Sequence, residues 1–419
     1  MKSRIIFKLK KLFFLFNVLI LSLIYLPIYF LVRLISFKIL IRFGEIPANR
    51  IGHFAIETEM YLCGKYSDQA IKKKKIFVYD IFCLGWDSNF ISNYTLLKLF
   101  KRKILIISKY IIYPFIILSR SPVGSVKHII KLSSNGDRDV YSLLKYNKKN
   151  LYFSEKELIK GRSFLKEVCN GNENPKFVVL IVRDKAYLNN TFKYKNWDYH
   201  NYRDCNIDNY IDGCETLTKF GYYVFRMGQV VEKKLNTSNP KIFDYSNNGM
   251  RTDFLDIFLS ANCTFAISTS TGLDYVPTIF RKPVLCISMS PIGFANLSLN
   301  NWLISFKDVY SKELERNLTL EEIFSKKLAY TYNNKDFIDN QIILNECSPE
   351  ENKDIFLEMH KIISNNIIPK KNLMMDEIFK KKFILFNKKY YPEEFNKFHG
   401  DFNARISNVY LTKRKNFLI

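Results

Sequence analysis

Apolar positions along this chain change their spacing three times. From Leu12 to Val32, LFFLFNVLILSLIYLPIYFLV is 21 residues without a charge, enough to cross a bilayer as a helix. It exceeds a signal-peptide h-region and no small-residue cleavage site follows, so it reads as a retained membrane anchor. From about residue 46 the pattern alternates: a loop and helix at NRIGHFAIETEMYLCGKY, a strand at KKIFVYDIFC, a helix at SNFISNYTLLKLFKR, a strand at KILIIS. That alternation predicts parallel α/β units.

A second and clearer series follows the Gly/Asn/Pro-rich break CNGNENPK at 169–176. KFVVLIVRD, YYVFRMG, CTFAISTS and KPVLCISM are continuous apolar runs of the kind buried on both faces of a sheet. IDNYIDGCETLTKFG, stopped by Gly221, TDFLDIFLSAN, capped by Thr252, and the helical turn GLDYVPTIFR separate them. SPEENKDIFLEMHKII (348–363) opens with Pro at a first helical position. The expected organisation is an anchor segment (1–45), two parallel α/β domains (46–170 and 171–345) and a helical tail (346–419).

Chemistry gathers where the strands of the second series end. Arg183-Asp184, Arg226 with Gly228, and Thr269-Ser270-Thr271-Gly272 close three successive strands. Ligands of open α/β sheets sit outside the carboxyl ends of the strands. Guanidinium forks and a hydroxyl/glycine loop opening a helix suit a diphosphate. The plainer alternative is that Thr271 caps a helix and the arginines face solvent. The loop 183–208 adds His200, Arg203 and Asp204, either as ligands or as parts of an aromatic-cemented surface loop. In the first series, His53 at a helix start with Glu57 one turn on is a candidate general base, or a capping pair. Asp80, at the end of IFVYD, is a further candidate.

The net charge of +24 suggests nucleic acid until it is located. Nine Lys and Arg but only one acid, Glu45, lie in residues 1–50, beside the apolar stretch. The rest is spread in short runs such as Lys72–Lys75 and Lys380–Lys382, without a nucleic-acid module pattern. Basic residues beside an apolar helix fit an anionic membrane surface better. They flank both ends of the stretch almost equally, so its orientation stays open, and Pro27 admits a kinked or re-entrant course. The eight cysteines show no ligand or disulfide spacing, which points to a reducing compartment and away from a zinc site.

RIGHFAIETEMYL, VRDKAYL…YRDCNIDNY, GYYVFRMG, SANCTFAISTSTGLDYVP, KPVLCIS and NARISNVYLTKRKNFL resemble, in that order, a family of bacterial glycosyltransferases found with surface-polysaccharide genes. The resemblance implies a GT-B fold, two Rossmann-like domains facing a cleft, with the acceptor on the first and the nucleotide-sugar donor on the second. It implies metal-independent transfer to a lipid-linked or growing O-antigen- or capsule-type glycan, with no cofactor beyond the nucleotide-sugar substrate. By motif position it assigns His53 to catalysis, with Glu57 and Asp80 as fallback candidates from the residue reading. Arg183, Asp184, Arg203, Arg226, Ser270 and Gly272 go to the donor in the same way, and the strand-end and loop reading adds Asp204, Gly228, Thr269 and Thr271. The implied location is the cytoplasmic face of the inner membrane, held by residues 12–32, with a monotopic or N-out anchor favoured. A nucleotide-sugar epimerase of similar build and a non-catalytic polysaccharide-assembly partner are the alternatives.

Overall fold

A computed structural model describes residues 2–65, 76–85, 90–132, 138–193, 195–365 and 370–419. The basic run Lys72–Lys75 lies outside the described residues. The chain divides into two units, Met1–Asp137 with Asn147–Phe153, and Arg138–Tyr146 with Ser154–Ile419.

In the first unit, strands β1 (Ile39–Ile46), β2 (Phe77–Leu84) and β3 (Leu105–Ile107) form a parallel sheet in that order. Alternation along β1 sorts its side chains. Phe43, with Cys83 from β2, joins an apolar cluster, whereas Arg42 pairs with Asp80. The helices are α1 (Lys2–Leu34), α2 (Ile51–Gly64), α3 (Tyr94–Lys101) and α4 (Lys109–Arg120). Asn93 caps α3 by accepting from Leu96 N. Helix α4 lies on the sheet, with Phe115 stacked on Phe43 at 4.7 Å between ring centres. Helix α1 packs outside α4 through Phe14, Val18, Tyr29 and Val32, a stripe at helical spacing. The apolar N-terminal helix is thus present, and β1 begins inside the expected anchor segment 1–45.

The second unit is built on a seven-stranded sheet. Its strands are β4 (Phe177–Ile181), β5 (Tyr223–Arg226), β6 (Ile242–Phe243), β7 (Phe265–Ser268), β8 (Val284–Met289), β9 (Trp302–Phe306) and, from the tail, β13 (Arg405–Ile406). The order is β13-β9-β8-β7-β4-β5-β6 and every pairing is parallel. Strands β4, β7 and β8 are buried along their whole length, as continuous apolar runs require. A small antiparallel sheet, β11-β10-β12, is formed by Asp308–Ser311 (β10), Arg316–Asn317 (β11) and Ile342–Asn345 (β12).

The expected boundary at 169–176 falls inside this second unit. Helix α5 (Glu155–Val168) opens with a Ser154/Glu157 capping box. It ends at Asn170 and Gly171, both at positive φ, with Gly171 N donating to Lys166 O. The Gly/Asn-rich stretch therefore terminates a helix instead of linking domains. The expected tail is likewise part of the unit's body. Helix α9 (Pro349–Asn365) packs on α6 (Ile211–Lys219) so closely that a Cβ on Gly213 would lie 2.5 Å from the Phe356 ring. Beyond β13, the Arg414 guanidinium is gripped by Asp308 and Glu351, two hydrogen bonds to each carboxylate.

Arg414→Ala would leave two carboxylates facing each other in a largely desolvated site. Urea unfolding is expected to show a loss of about 3–5 kcal/mol, and an unchanged midpoint would show the clamp to be idle.

Candidate functional site

The strand order reverses at β4. The chain proceeds from β4 outward to β5 and β6, then returns to lay β7, β8 and β9 on its other side. Such a reversal opens a crevice beyond the carboxyl ends of the two flanking strands. Here those ends are Arg183 after β4 and Thr269-Ser270 after β7. The two are stitched together, Thr269 N donating to Ile181 O at 3.1 Å and Arg183 N to Thr269 Oγ1 at 2.8 Å.

Three cations converge there. Arg203 Nη2 donates to Ser270 O at 2.5 Å, and Ser270 holds φ 59° to present that carbonyl. Lys307, immediately after β9 and only 6% exposed, donates from Nζ to the carbonyls of Tyr202 and Asp204. Arg183 Nε stands 3.3 Å from Asp204 Oδ1. Its Nε is buried without a hydrogen bond. Burial and then the neighbouring Arg203 pull the Arg183 guanidinium down to about 10, so it stays charged at neutral pH. Burial raises the Asp204 carboxyl to about 6, against the opposing pull of Arg183 and Lys307. Asp204 is thus the single carboxylate paired directly with this group among the described residues, and one that is neutralised as pH falls below about 6.

The loop carrying Arg203 is held by its aromatics. Trp197 is buried, donates from Nε1 to Phe192 O, and has the His200 ring stacked 6.2 Å away. Lys195 Nζ lies 4.4 Å above the Trp197 ring. His200 belongs to this cement, and Arg203 and Asp204 are what the cemented loop delivers to the crevice.

The other expected donor residues have different surroundings. Arg226 is 1% exposed and lies 3.0 Å from Asp244 and 4.0 Å from Asp184. Asp184 also accepts from Ala186 N and Glu232 N. Together they form an internal ion cluster that ties the loops after β4 and β5. Gly228 serves the turn: its φ is 152°, and a Cβ would meet Val231 at 2.6 Å. The helix opened by the Ser/Thr loop, α8 (Tyr275–Ile279), is only five residues long. Its start is already occupied by the buried Asp274 carboxylate, which accepts from Ser268 Oγ and Thr271 N, both at 2.9 Å. The chain supplies its own anion there. Gly272 is exposed there, and Ser270 and Thr271 are half-buried.

In the first unit, His53 Nδ1 and Glu57 Oε1 are 2.6 Å apart on α2, with side chains 39% and 15% exposed. Asp80 is enclosed, its side chain 1% exposed, accepting from Arg42 Nε and Nη2 and from Tyr61 O–H. It holds β1, β2 and α2 together and is not open to a ligand. Among the described residues, no group of three or more His, Cys, Asp or Glu is placed to hold a metal ion.

Lys307 is the site residue that strand-end reasoning passed over. Its signal was present: WLISFK repeats the pattern of an apolar run closed by a cation.

No family model and no curated relative matches the chain. Among solved structures it is similar to the Escherichia coli ADP-heptose LPS heptosyltransferase II at 12% identity and TM-score 0.35, covering 62% of this chain and 89% of that one. A glycosyl transferase family 9 protein from Veillonella parvula gives 8% identity and TM-score 0.42 over 77% and 96%. The E. coli heptosyltransferase WaaC with ADP gives 9% and 0.28 over 59% and 87%. None of these likenesses is close enough to assign an activity to this chain.

Arg226→Ala is expected to cost about 3–5 kcal/mol in urea unfolding, because Asp244 and Asp184 lose their buried counter-cation. A variant of normal stability would instead return Arg226 to the ligand-binding candidates.

Proposed function

We propose that this chain is a metal-independent glycosyltransferase of the GT-B kind. It would hold the diphosphate of a nucleotide-sugar at Arg183, Arg203 and Lys307. The observation that carries this reading is electrostatic. Three cations meet at the switch-point crevice against one directly paired carboxylate, and a buried cation is costly without a counter-charge. A diphosphate supplies that charge and accepts bidentate guanidinium hydrogen bonds. Ser270 and Gly272 border the same place and let a ligand approach the backbone.

The same cations would drive the chemistry. As the anomeric carbon leaves the diphosphate, negative charge grows on the leaving oxygen, and fixed guanidinium and ammonium groups stabilise it without a metal ion. The acceptor hydroxyl must lose its proton as it attacks. His53 would take that proton, with Glu57 stabilising the imidazolium. The acceptor in this reading is a lipid-linked or growing cell-surface glycan at the cytoplasmic face of the membrane, which the apolar helix α1 keeps within reach.

The test is a thermal-shift panel on the detergent-solubilised full chain with ADP, UDP, GDP, dTDP, CMP and their sugars. Ligand at a hundred times its dissociation constant stabilises the fold by about 2.7 kcal/mol. Arg203→Gln removes a charge-assisted contact of about 1.5–3 kcal/mol, so it should weaken binding about 10- to 100-fold. A folded protein indifferent to every nucleotide would overturn the reading.

The pH dependence has a defined sign. Between 3.8 and about 6 the folded chain binds more protons at Asp204 than the unfolded chain does. Stability from this group therefore rises as pH falls through that window, and is lost as pH rises through about 6. Protonating Asp204 also removes the negative charge beside Arg183. Affinity for a nucleotide-sugar, a diphosphate diester of constant charge, should thus increase from pH 7 to pH 5. Calorimetric titration should find that dependence flattened in Asp204→Asn.

A further inference from the structure

We infer that α1 lies in the plane of the membrane surface instead of crossing it, and that its outer face seats the first unit on an anionic lipid leaflet. Packing provides the first ground. Phe14 meets Tyr113 edge-on at 5.1 Å, Tyr25 stacks on Phe115 at 5.6 Å, and Tyr29 O–H accepts from Ser125 N at 3.1 Å. Arg33 donates to Val123 O. The attached stripe, Phe14 to Val32, is 19 residues long and about 27 Å from end to end, nearly the thickness of the hydrocarbon core. A transverse α1 would therefore carry α4 and the β1-β2-β3 sheet into the lipid, where open sheets have no place.

The opposite face of α1 is apolar and uncovered. Leu12, Phe16, Leu23, Leu31 and Leu34 are 60–74% exposed, and only 22% of the helix's most apolar window is buried. Val123 and Val126, in the segment that α1 touches through Arg33, are exposed as well. Asn17 Nδ2 and Ser22 Oγ donate back to the helix carbonyls of Phe13 and Val18, which lowers the cost of placing them beside lipid.

Charge selects the occupant. Residues 2–44 and 94–136 contain no Asp or Glu. Lys8, Lys10 and Lys11 are exposed near one end of the helix, and Lys38 and Lys127 near the other. An anionic leaflet neutralises the cations at both ends of the helix, whereas a second copy of these acid-free segments would bring no counter-charge to them. The inference stands apart from the transferase reading, since loss of nucleotide binding would leave the membrane geometry untouched.

The experiment uses the full chain, reconstituted by detergent removal with vesicles of phosphatidylcholine alone or with 30% phosphatidylglycerol, about the level that sets a physiological surface potential. Leu12→Cys, Leu23→Cys and Leu34→Cys each carry a nitroxide, whose depth is read from collisions with oxygen and a water-soluble nickel chelate. Wild-type labelling is subtracted. All three positions should report one shallow depth, about 5–10 Å into the headgroup boundary. A label at Leu23 near the midplane, with Leu12 and Leu34 shallow, would overturn the in-plane placement. Lys10→Glu combined with Lys127→Glu should reduce co-flotation with the anionic vesicles at least ~10-fold. Equal flotation with both vesicle types would overturn the anionic leaflet. Vesicle-independent dimers that shield the labels would reassign the face to a second copy.

Discussion

The second unit depends on β4 being hydrogen-bonded along both edges. Met227 N reaches Leu180 O on one side and Thr269 N reaches Ile181 O on the other. That double pairing puts the ends of β4 and β7 side by side and opens the crevice between strands that run in opposite sequence directions from it. A slip of one residue would turn every side chain to the other face, and Arg183 would leave the crevice. The observed register pairs Leu180 with Arg226 of β5 and with Ile267 of β7.

The chain handles its buried charges in two ways. Arg226 with Asp184 and Asp244, Asp80 with Arg42, and Arg414 with Asp308 and Glu351 are closed sets, each cation matched and hydrogen-bonded inside the protein. They hold loops and tail in place. Arg183, Arg203 and Lys307 form an open set, with carbonyl oxygens as their main partners and Asp204 as a partial counter-charge. Only an open set has capacity left for a ligand. Asp274 illustrates the converse, a loop that looks made for an anion but already contains one.

The first unit is shaped by the same sorting on a sheet with two different faces. Its Phe43 side is covered by α4 and then α1, and its Arg42 side by the ion cluster around Asp80. Helix α1 thereby becomes a layer of the domain with one face attached and one face bare. An isolated apolar helix would have no such distinction.

Much of the fold was legible because local physics enforces it. Continuous Val/Ile/Phe runs had to be strands covered on both faces, the uncharged stretch from Leu12 had to be a helix, and Thr252 had to cap its own. The strand-end rule led to Arg183 and the long polar-aromatic loop to Arg203 and Asp204, and the same rule would have led to Lys307 if applied to WLISFK. Which arginine serves as clamp and which as open cation was not legible, because the answer lies in partners distant in the chain. Asp244 comes 18 residues after Arg226, and Ser270 comes 67 residues after Arg203. The same holds for the break at 169–176, a helix terminus by its backbone hydrogen bonds although its composition suits a linker. By itself the sequence determined which segments are buried and where cations can stand. Only the tertiary structure decided which of those charges are neutralised, because a counter-charge acts through distance in space and not through position along the chain.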